Sequence, residues 1–276
     1  MRILFYVCAV AAALARADTN NSTDDDDYSI EVVGGMDAPA GQYTWTAGLR
    51  NTASGRSDCA GSLIAPTWIL TAAHCVHHVR YPIKFVVVGT HNLQGTTDGE
   101  TIGVQRIVVH PEYRDVVDGN DAALIELVRP STFVPIKLSK KHVAAGDLVR
   151  VFGWGGVGGG FDFVGNQSPV LKQNDFTALA NADCQNRLRV NVQGLTTWVA
   201  TATHLCAGGV VGQSSCEGDS GGPLVRMNVD GSSSLVGIVS FGIACAHGLP
   251  DIYGRVEGIA NFIDQTSSGH EWDQVV

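Results

Sequence analysis

Short apolar runs separated by turn residues dominate the chain after residue 35. The runs share β-branched and aromatic residues and lie at 62–70, 85–89, 104–110, 122–128, 148–153 and 235–241. Their length and spacing predict an all-β sandwich or barrel. Near the C-terminus, Val256, Ile259, Ala260 and Ile263 adopt the i, i+3, i+4, i+7 spacing that predicts one amphipathic helix. We expect residues 271–276 to form a loose tail.

The N-terminus has a different character from the rest of the chain. Arg2 precedes an apolar run at 3–14 and a small-x-small site at 15–17, which predicts a signal peptide over 1–17. A membrane anchor is the alternative, but the run is too short to span ~30 Å of hydrocarbon. Residues 18–31 are acidic and polar and predict a propeptide, which leaves 32–276 as the folded domain.

Composition excludes several classes of function. With 45% apolar and 16% charged residues, the 276-residue chain is globular. Its net charge of -9 offers no basic surface for nucleic acid, and no later stretch is long and apolar enough for a membrane span. We therefore predict a secreted, extracellular, monomeric protein. Asn20, Asn21 and Asn166 each begin an Asn-x-Ser/Thr acceptor, so it is expected to be a glycoprotein.

Cysteine usage predicts disulfides. Cys8 lies in the signal peptide and six cysteines remain, an even number in an exported chain. Six cysteines allow fifteen pairings, and composition does not choose among them. The alternative of a zinc site lacks a close Cys-x-x-Cys pair.

No motif for a cofactor or a metal is present. The glycine-rich run at 153–160 lacks the Lys-Ser/Thr of a phosphate-binding loop and is predicted to be a flexible surface loop. His77 and His78 follow His74 closely, but no carboxylate or thiolate set completes a metal site. We therefore predict no cofactor.

Three short segments occur in the order His, Asp, Ser along the chain. They are TAAHC at 71–75, NDAALI at 120–125 and GDSGGP at 218–223. With these segments the chain resembles the chymotrypsin/trypsin family of secreted serine proteases from residue 32 to about residue 265. The resemblance implies two six-stranded antiparallel barrels packed around a catalytic cleft, with a C-terminal helix.

The resemblance also implies a role for each residue of the triad. Ser220 would attack the scissile carbonyl, His74 would take its proton, and Asp121 would orient the imidazole. A hydroxyl needs such an oriented base because it is a weak nucleophile. The backbone N–H groups of Gly218 and Ser220 would form the oxyanion hole.

Disulfides and activation follow from the same resemblance. It implies the disulfides Cys59–Cys75, Cys184–Cys206 and Cys216–Cys245. Release of Val32 would free an α-amine that pairs with Asp219 and completes the site. Glu31 stands where Arg or Lys is usual, so activation would need a protease that accepts Glu, or trimming from an upstream cut.

The predicted substrate pocket has Ser214 at its base and Ser240 and Gly242 in its wall. Asp251 would project into this pocket from the opposite wall, or else turn away or bind a water. A buried carboxylate favours a cationic partner. This implies broad, chymotrypsin- and collagenase-like specificity, for large apolar residues with basic ones also accepted. The family's calcium loop corresponds to residues 90–100, where Thr90 replaces an acidic ligand, so we predict no required metal.

The retained triad favours a secreted serine endopeptidase made as a zymogen, with protein or peptide substrates and possible protein inhibitors as partners. The alternative is a non-catalytic protease-like binding protein, or an inhibitor of a secreted glycosidase. Glu31 supports this alternative, because it suggests that activation was abandoned. Residues 40–75 also resemble secreted protease-like glucanase inhibitors of plant pathogens, which have lost triad residues.

Overall fold

Strands provide most of the regular structure. The computed structural model describes residues 33–156 and 167–273, and the strands are numbered here in chain order. They are β1 Met36–Asp37, β2 Thr46–Arg50, β3 Cys59–Ala65, β4 Trp68–Thr71, β5 Phe85–Val88, β6 Glu100–Val109, β7 Ala123–Leu127, β8 Lys137–Leu138, β9 Leu148–Gly153, β10 Lys172–Leu179, β11 His204–Gly208, β12 Pro223–Met227, β13 Ser233–Phe241 and β14 Pro250–Arg255.

Six antiparallel strands close the first barrel in the order β2-β3-β4-β7-β6-β5. The barrel closes because β5 pairs with β2, with Val88 opposite Ala47 and Phe85 opposite Arg50. Its interior is apolar, and Leu63, Ile69 and Ile125, which are paired across neighbouring strands, are fully buried on one face of the sheet. Alternating strand residues supply this core, as the short apolar runs predict.

The second barrel has the order β9-β10-β11-β14-β13-β12 and closes through β9, which pairs with both β10 and β12. Strand β1 extends the sheet beside β10, and β8 runs parallel to β13. Val151, Leu205 and Leu224 fill the interior. The prediction of two six-stranded antiparallel barrels is confirmed.

There are two α-helices in the described ranges, α1 Asn181–Asn191 beside the second barrel and α2 Ala260–Thr266, whose Phe262 packs on His110 at the end of β6 in the first barrel. The 3₁₀ turn Glu257–Ile259 precedes α2, so the predicted C-terminal helix is confirmed, although its first turn is 3₁₀. Helix α1 was not predicted from the sequence, since it buries only Cys184 and Leu188 and its apolar period is weak. The remaining 3₁₀ turns are Ala73–Cys75, Val116–Asp118 and Gln193–Leu195.

The C-terminal segment is attached to the second barrel as far as residue 273. The N–H of Leu138 donates to the carbonyl of Glu271 at 2.8 Å, and the N–H of Asp273 donates to Leu138 at 2.7 Å. Trp272 Nε1 donates to Asp264 Oδ1 at 2.8 Å. The predicted loose tail is therefore wrong for 271–273, because a single aromatic anchor leaves no periodic signal; 274–276 lie outside the described residues.

The structure forms three disulfides in the pairing that the resemblance implies: Cys59–Cys75, Cys184–Cys206 and Cys216–Cys245. No helix in the described ranges is both long and apolar enough to cross a membrane. The signal peptide at 1–17 and the propeptide at 18–31 lie outside those ranges and stay predictions. The same holds for Asn20, Asn21 and Asn166.

Candidate functional site

The junction of the two barrels brings the predicted triad together. His74 lies in the 3₁₀ turn after β4, Asp121 lies just before β7, and Ser220 lies before β12. The N–H of Ala60, on β3 of the first barrel, donates to the carbonyl of Ser220 at 2.8 Å. A hydrogen bond between the barrels therefore fixes the serine beside the histidine turn.

His74 and Asp121 form a tight pair, in which Asp121 is buried and His74 is partly exposed. Asp121 Oδ2 lies 2.7 Å from His74 Nδ1, and Oδ1 accepts the His74 backbone N–H at 2.9 Å. Ser240 Oγ donates to Oδ2 at 2.6 Å, and Asp121 is only 1% exposed. Burial alone would raise the pKa of Asp121, but the hydrogen bonds from His74 and Ser240 outweigh it and hold that pKa below its usual range.

The second barrel also anchors the loop that carries Asp121. The Asn120 N–H donates to Thr203 Oγ1 at 3.0 Å, and Trp198 Nε1 donates to the carbonyl of Val117 at 2.8 Å. Asn120 has a φ of +54°, which asparagine tolerates better than most residues. These contacts hold the carboxylate in place from both sides of the cleft.

Ser220 lines the cleft but forms no hydrogen bond with His74 in the part of the chain that the structure describes. His74 Nε2 instead lies 3.8 Å from Cys75 Sγ. Hydrogen bonds between a catalytic serine and its histidine are often long in unliganded sites. The missing Ser220–His74 hydrogen bond is therefore compatible with a reactive serine and with an unreactive one. The assignment of His74, Asp121 and Ser220 to catalysis stays a prediction.

The predicted oxyanion hole lies on a glycine with a positive φ. Gly218 has φ +99°, and a Cβ there would overlap the side-chain amide of Gln167. Within the described ranges, the N–H groups of Gly218 and Ser220 donate to no protein acceptor. Gln167 in turn donates to the carbonyl of Ser57 at 3.2 Å. Gln167 was missed in the sequence, since no local pattern links it to a residue 51 positions later.

Asp219 is fully buried beside the serine. Its carboxylate accepts N–H bonds from Gly155 at 2.7 Å and Cys216 at 2.9 Å. Burial raises the pKa of Asp219 to about 6 despite these two bonds. Val32, the predicted ion-pair partner, lies outside the described residues, and that pair stays a prediction. The Ser214 N–H donates to the carbonyl of the next residue, Val33, at 3.2 Å.

A cavity of 480 Å³ opens beside Ser220. Of the predicted pocket residues, Ser240 and Gly242 line it. Apolar side chains contribute much of its wall, including Phe241 and Ile243, while Glu217 is exposed at its rim. This lining is typical of a concave binding site with a few polar groups.

Ser214 and Asp251 lie behind the wall of this cavity. Ser214 is 2% exposed, and its Oγ accepts the Ala246 N–H at 2.7 Å. Asp251 is 3% exposed; its Oδ2 accepts the Ser215 N–H at 2.6 Å, and its Oδ1 would lie 3.0 Å from a Cβ on Gly242. Burial, with a smaller contribution from the charge of Asp219, raises the pKa of Asp251 to about 7. The substrate-binding role of Ser214 and Asp251 stays a prediction.

The loop at 242–248 has a strained backbone. Ala244 and Ala246 have φ values of +53° and +64°, which cost an L-residue roughly 1–2 kcal/mol each. Between them, Cys245 ties the loop to Cys216 on the opposite wall of the cavity. Strain held in this way is typical of preorganised binding sites.

Two features bear on metal binding. Ligand atoms of Cys59, His74 and Cys75 lie within 4.8 Å of one another, but both cysteines are in a disulfide and supply no thiolate. In the loop at 90–100, the carbonyls of residues 92, 93 and 95 accept hydrogen bonds from the buried guanidinium of Arg50. In this loop the guanidinium of Arg50 therefore occupies three carbonyl oxygens that could otherwise bind a cation.

The comparisons with known proteins agree with the two-barrel fold. The family model described as Trypsin matches residues 32–263. Glucanase inhibitor protein 2 of Phytophthora sojae is 33% identical over 96% of this chain and 88% of its own length. Glucanase inhibitor protein 3 of Phytophthora infestans is 34% identical over 95% of this chain and 98% of its own length. Glucanase inhibitor protein 2 of Phytophthora infestans is also 34% identical, over 94% and 98% respectively.

These relatives contradict the predicted serine endopeptidase. Proteins that match nearly the whole chain are named for inhibition of a glucanase, not for peptide hydrolysis. The predicted hydrolase, its zymogen form and its substrate specificity are therefore corrected in favour of the alternative. The reason is physical: the three motifs specify a fold and a cleft, but they do not specify the use of that cleft.

Proposed function

This chain belongs to the trypsin family, and on that premise we propose that it is a protease-like binding protein that inhibits a secreted glucanase without peptide hydrolysis. The relatives carry this proposal. Seven glucanase inhibitor proteins match it at 32–35% identity, each over 83% of this chain or more. The partner is accordingly a protein, a glucanase, and not a peptide substrate.

The cleft supports binding as its activity. A side chain of the glucanase would enter the 480 Å³ cavity and pack on Phe241 and Ile243. The Cys216–Cys245 disulfide fixes the strained wall, so little conformational freedom is lost on binding. The buried Asp251 closes the cavity behind Gly242, which suits a short insertion better than a long substrate side chain.

Secretion is the second part of the proposal. Residues 1–17 have the pattern of a signal peptide, and three disulfides are typical of an oxidising compartment. An extracellular inhibitor would encounter a secreted glucanase directly. N-terminal sequencing of the secreted protein tests this part: a start at Met1 contradicts it.

The experiment measures glucanase activity on a β-glucan with and without the purified protein, across a panel of secreted glucanases. We expect saturable inhibition of at least one glucanase near one-to-one stoichiometry. Ile243→Arg places a charge at the cavity and should weaken inhibition at least tenfold, because the core of an interface tolerates no unpaired charge. Val229→Arg is the matched control, since Val229 is fully exposed on the β12–β13 turn.

Inhibition of no glucanase by the folded protein would contradict the proposal. Equal inhibition by the wild-type protein and Ile243→Arg would show that the cavity is not part of the interface. Only the identification of a glucanase as the partner would then stand. A fluorophosphonate probe reports whether Ser220 is reactive, and this is a separate property from glucanase inhibition. The proposal requires that inhibition persist in Ser220→Ala, whether or not the probe labels the wild-type protein.

A further inference from the structure

A second cavity, of 530 Å³, lies on the second barrel outside the triad cleft. Its wall combines the loop at 142–145, the end of β10 with the start of α1, and the segment after β14. The aliphatic part of the lining includes Val143, Leu179 and Ala202. None of these residues contributes to the cleft described above.

Arg255 provides the positive charge in this cavity, which Glu257 also lines. It is 7% exposed; its Nε donates to the carbonyl of His204 at 3.1 Å and its Nη1 to that of Val143 at 3.4 Å. Its Nη2 has no protein partner within the described ranges and is not sealed from solvent. Because Arg255 lines the cavity, this free donor is available to a ligand there.

The N-terminus of α1 opens into the same cavity. The N-cap residue, Ala180, has no side chain that could accept a hydrogen bond, and both Ala180 and Asn181 line the cavity. In the described structure, the N–H groups of Asn181, Ala182 and Asp183 have no acceptor. An 11-residue helix without a side-chain cap at its N-terminus attracts negative charge, and Asp183 already places one carboxylate in its first turn.

Neighbouring charges limit the kind of anion. Glu257 Oε2 lies 3.9 Å from Arg255 Nη1 and 3.0 Å from His142 Nδ1. One carboxylate is thus already present beside one guanidinium, which disfavours a doubly charged phosphate or sulfate. The aliphatic wall favours an anion with an organic chain.

We propose that this cavity binds an organic monocarboxylate. The carboxylate would accept from Arg255 Nη2 and from the first N–H groups of α1. The carbon chain would lie against Val143, Leu179 and Ala202. The site would work independently of the cleft and of the proposed inhibition.

Hexanoate is a suitable probe, followed by amide chemical shifts in the ¹⁵N-labelled protein. We expect saturable shifts at Asn181, Ala182 and Asp183, with a Kd on the order of 1 mM for so small a ligand. Hexan-1-ol and sulfate should bind at least tenfold more weakly. Equal binding of hexan-1-ol would show an apolar cavity alone, and equal binding of sulfate would show a general anion site; either result overturns the proposal.

Replacing Arg255 risks the fold, so Ala180→Asp is the primary variant. Its carboxylate would cap α1 from the N-cap position, raise the Tm by a few degrees and reduce hexanoate affinity at least tenfold. Glu257→Gln removes the competing charge and should tighten hexanoate binding about threefold. Unchanged hexanoate affinity in folded Ala180→Asp would overturn the proposal.

Discussion

Replacing the buried Asp251 by Asn should stabilise the protein at alkaline pH and leave it nearly unchanged in acid. Asp251 is 3% exposed; its carboxylate accepts the Ser215 N–H at 2.6 Å, and the side chains of Ser215 and Tyr253 also oppose the rise of its pKa. No cation lies against it within the described ranges, while the buried Asp219 adds a like charge nearby. Asn keeps the shape and the acceptor oxygen but removes the charge.

The size of the effect follows from the pKa of Asp251, which rises from 3.8 to about 7 on folding. Between those values the unfolded chain has lost the proton and the folded chain keeps it. The free energy of unfolding therefore falls as pH rises from about 4 to 7, by about 4 kcal/mol in total. Asp251→Asn lacks this loss and should be about 2–4 kcal/mol more stable than the wild type at pH 8.5.

Urea unfolding of the disulfide-intact protein from pH 4 to pH 9 measures this difference. Asp219→Asn is the matched control. Because the pKa of Asp219 is about 6, the stability difference between this variant and the wild type should level off about one pH unit below that of Asp251→Asn. The two carboxylates interact, so their effects should not be fully additive. If Asp251→Asn were less stable than the wild type at pH 8.5, or followed it in parallel at every pH, the burial argument would be refuted.

Two further substitutions test local packing by the same urea assay. Arg50→Met removes the guanidinium that binds three loop carbonyls and should lower the free energy of unfolding by about 3–5 kcal/mol. The control Arg56→Met, at an exposed residue, should lower it by less than about 0.5 kcal/mol. Similar losses in the two variants would contradict the role of Arg50. Gly218→Ala combines a φ of +99° with overlap on Gln167 and should cost about 2–3 kcal/mol. Gly212→Ala has a φ of +85° and open space, so about 1 kcal/mol is expected, and equal costs would exclude the overlap.

The barrels were predictable because their strands carry the signal in consecutive residues. The run at 85–89 corresponds to β5 Phe85–Val88, and the run at 148–153 to β9 Leu148–Gly153. The run at 62–70 proved to be two strands, β3 and β4, joined by a tight turn. Only Pro66 and Thr67 interrupt its apolar residues, and the interpretation of 62–70 as one run missed this two-residue turn.

Other elements depend on contacts that no local pattern encodes. Helix α1 is largely polar and exposed, and its place is fixed by the Cys184–Cys206 disulfide and by packing on β11. Trp272 is held by a hydrogen bond to Asp264, by Lys140 over its ring and by packing against the core, and these partners lie elsewhere in the chain. The burial of Asp251 depends on the Ser215 N–H and on the absence of a side chain at Gly242.

The assignment of His74, Asp121 and Ser220 to a catalytic triad stays a prediction, and the endopeptidase function inferred from it is contradicted by the relatives. The spacing of His74, Asp121 and Ser220 reflects the barrels that hold them, and a glucanase inhibitor relative matches 96% of the chain that forms those barrels. A motif defines the geometry that a cleft can adopt. Its use depends on partners, which the sequence does not display.

Titration of a susceptible glucanase with the wild-type protein and with Ser220→Ala tests the central claim most directly. Residual glucanase activity gives the inhibition, and the mass of the recovered glucanase reports any cleavage. The proposal predicts equal, near-stoichiometric inhibition by both proteins and an intact glucanase. Loss of inhibition in folded Ser220→Ala, together with fragments of the glucanase in the wild-type sample, would contradict a non-catalytic inhibitor.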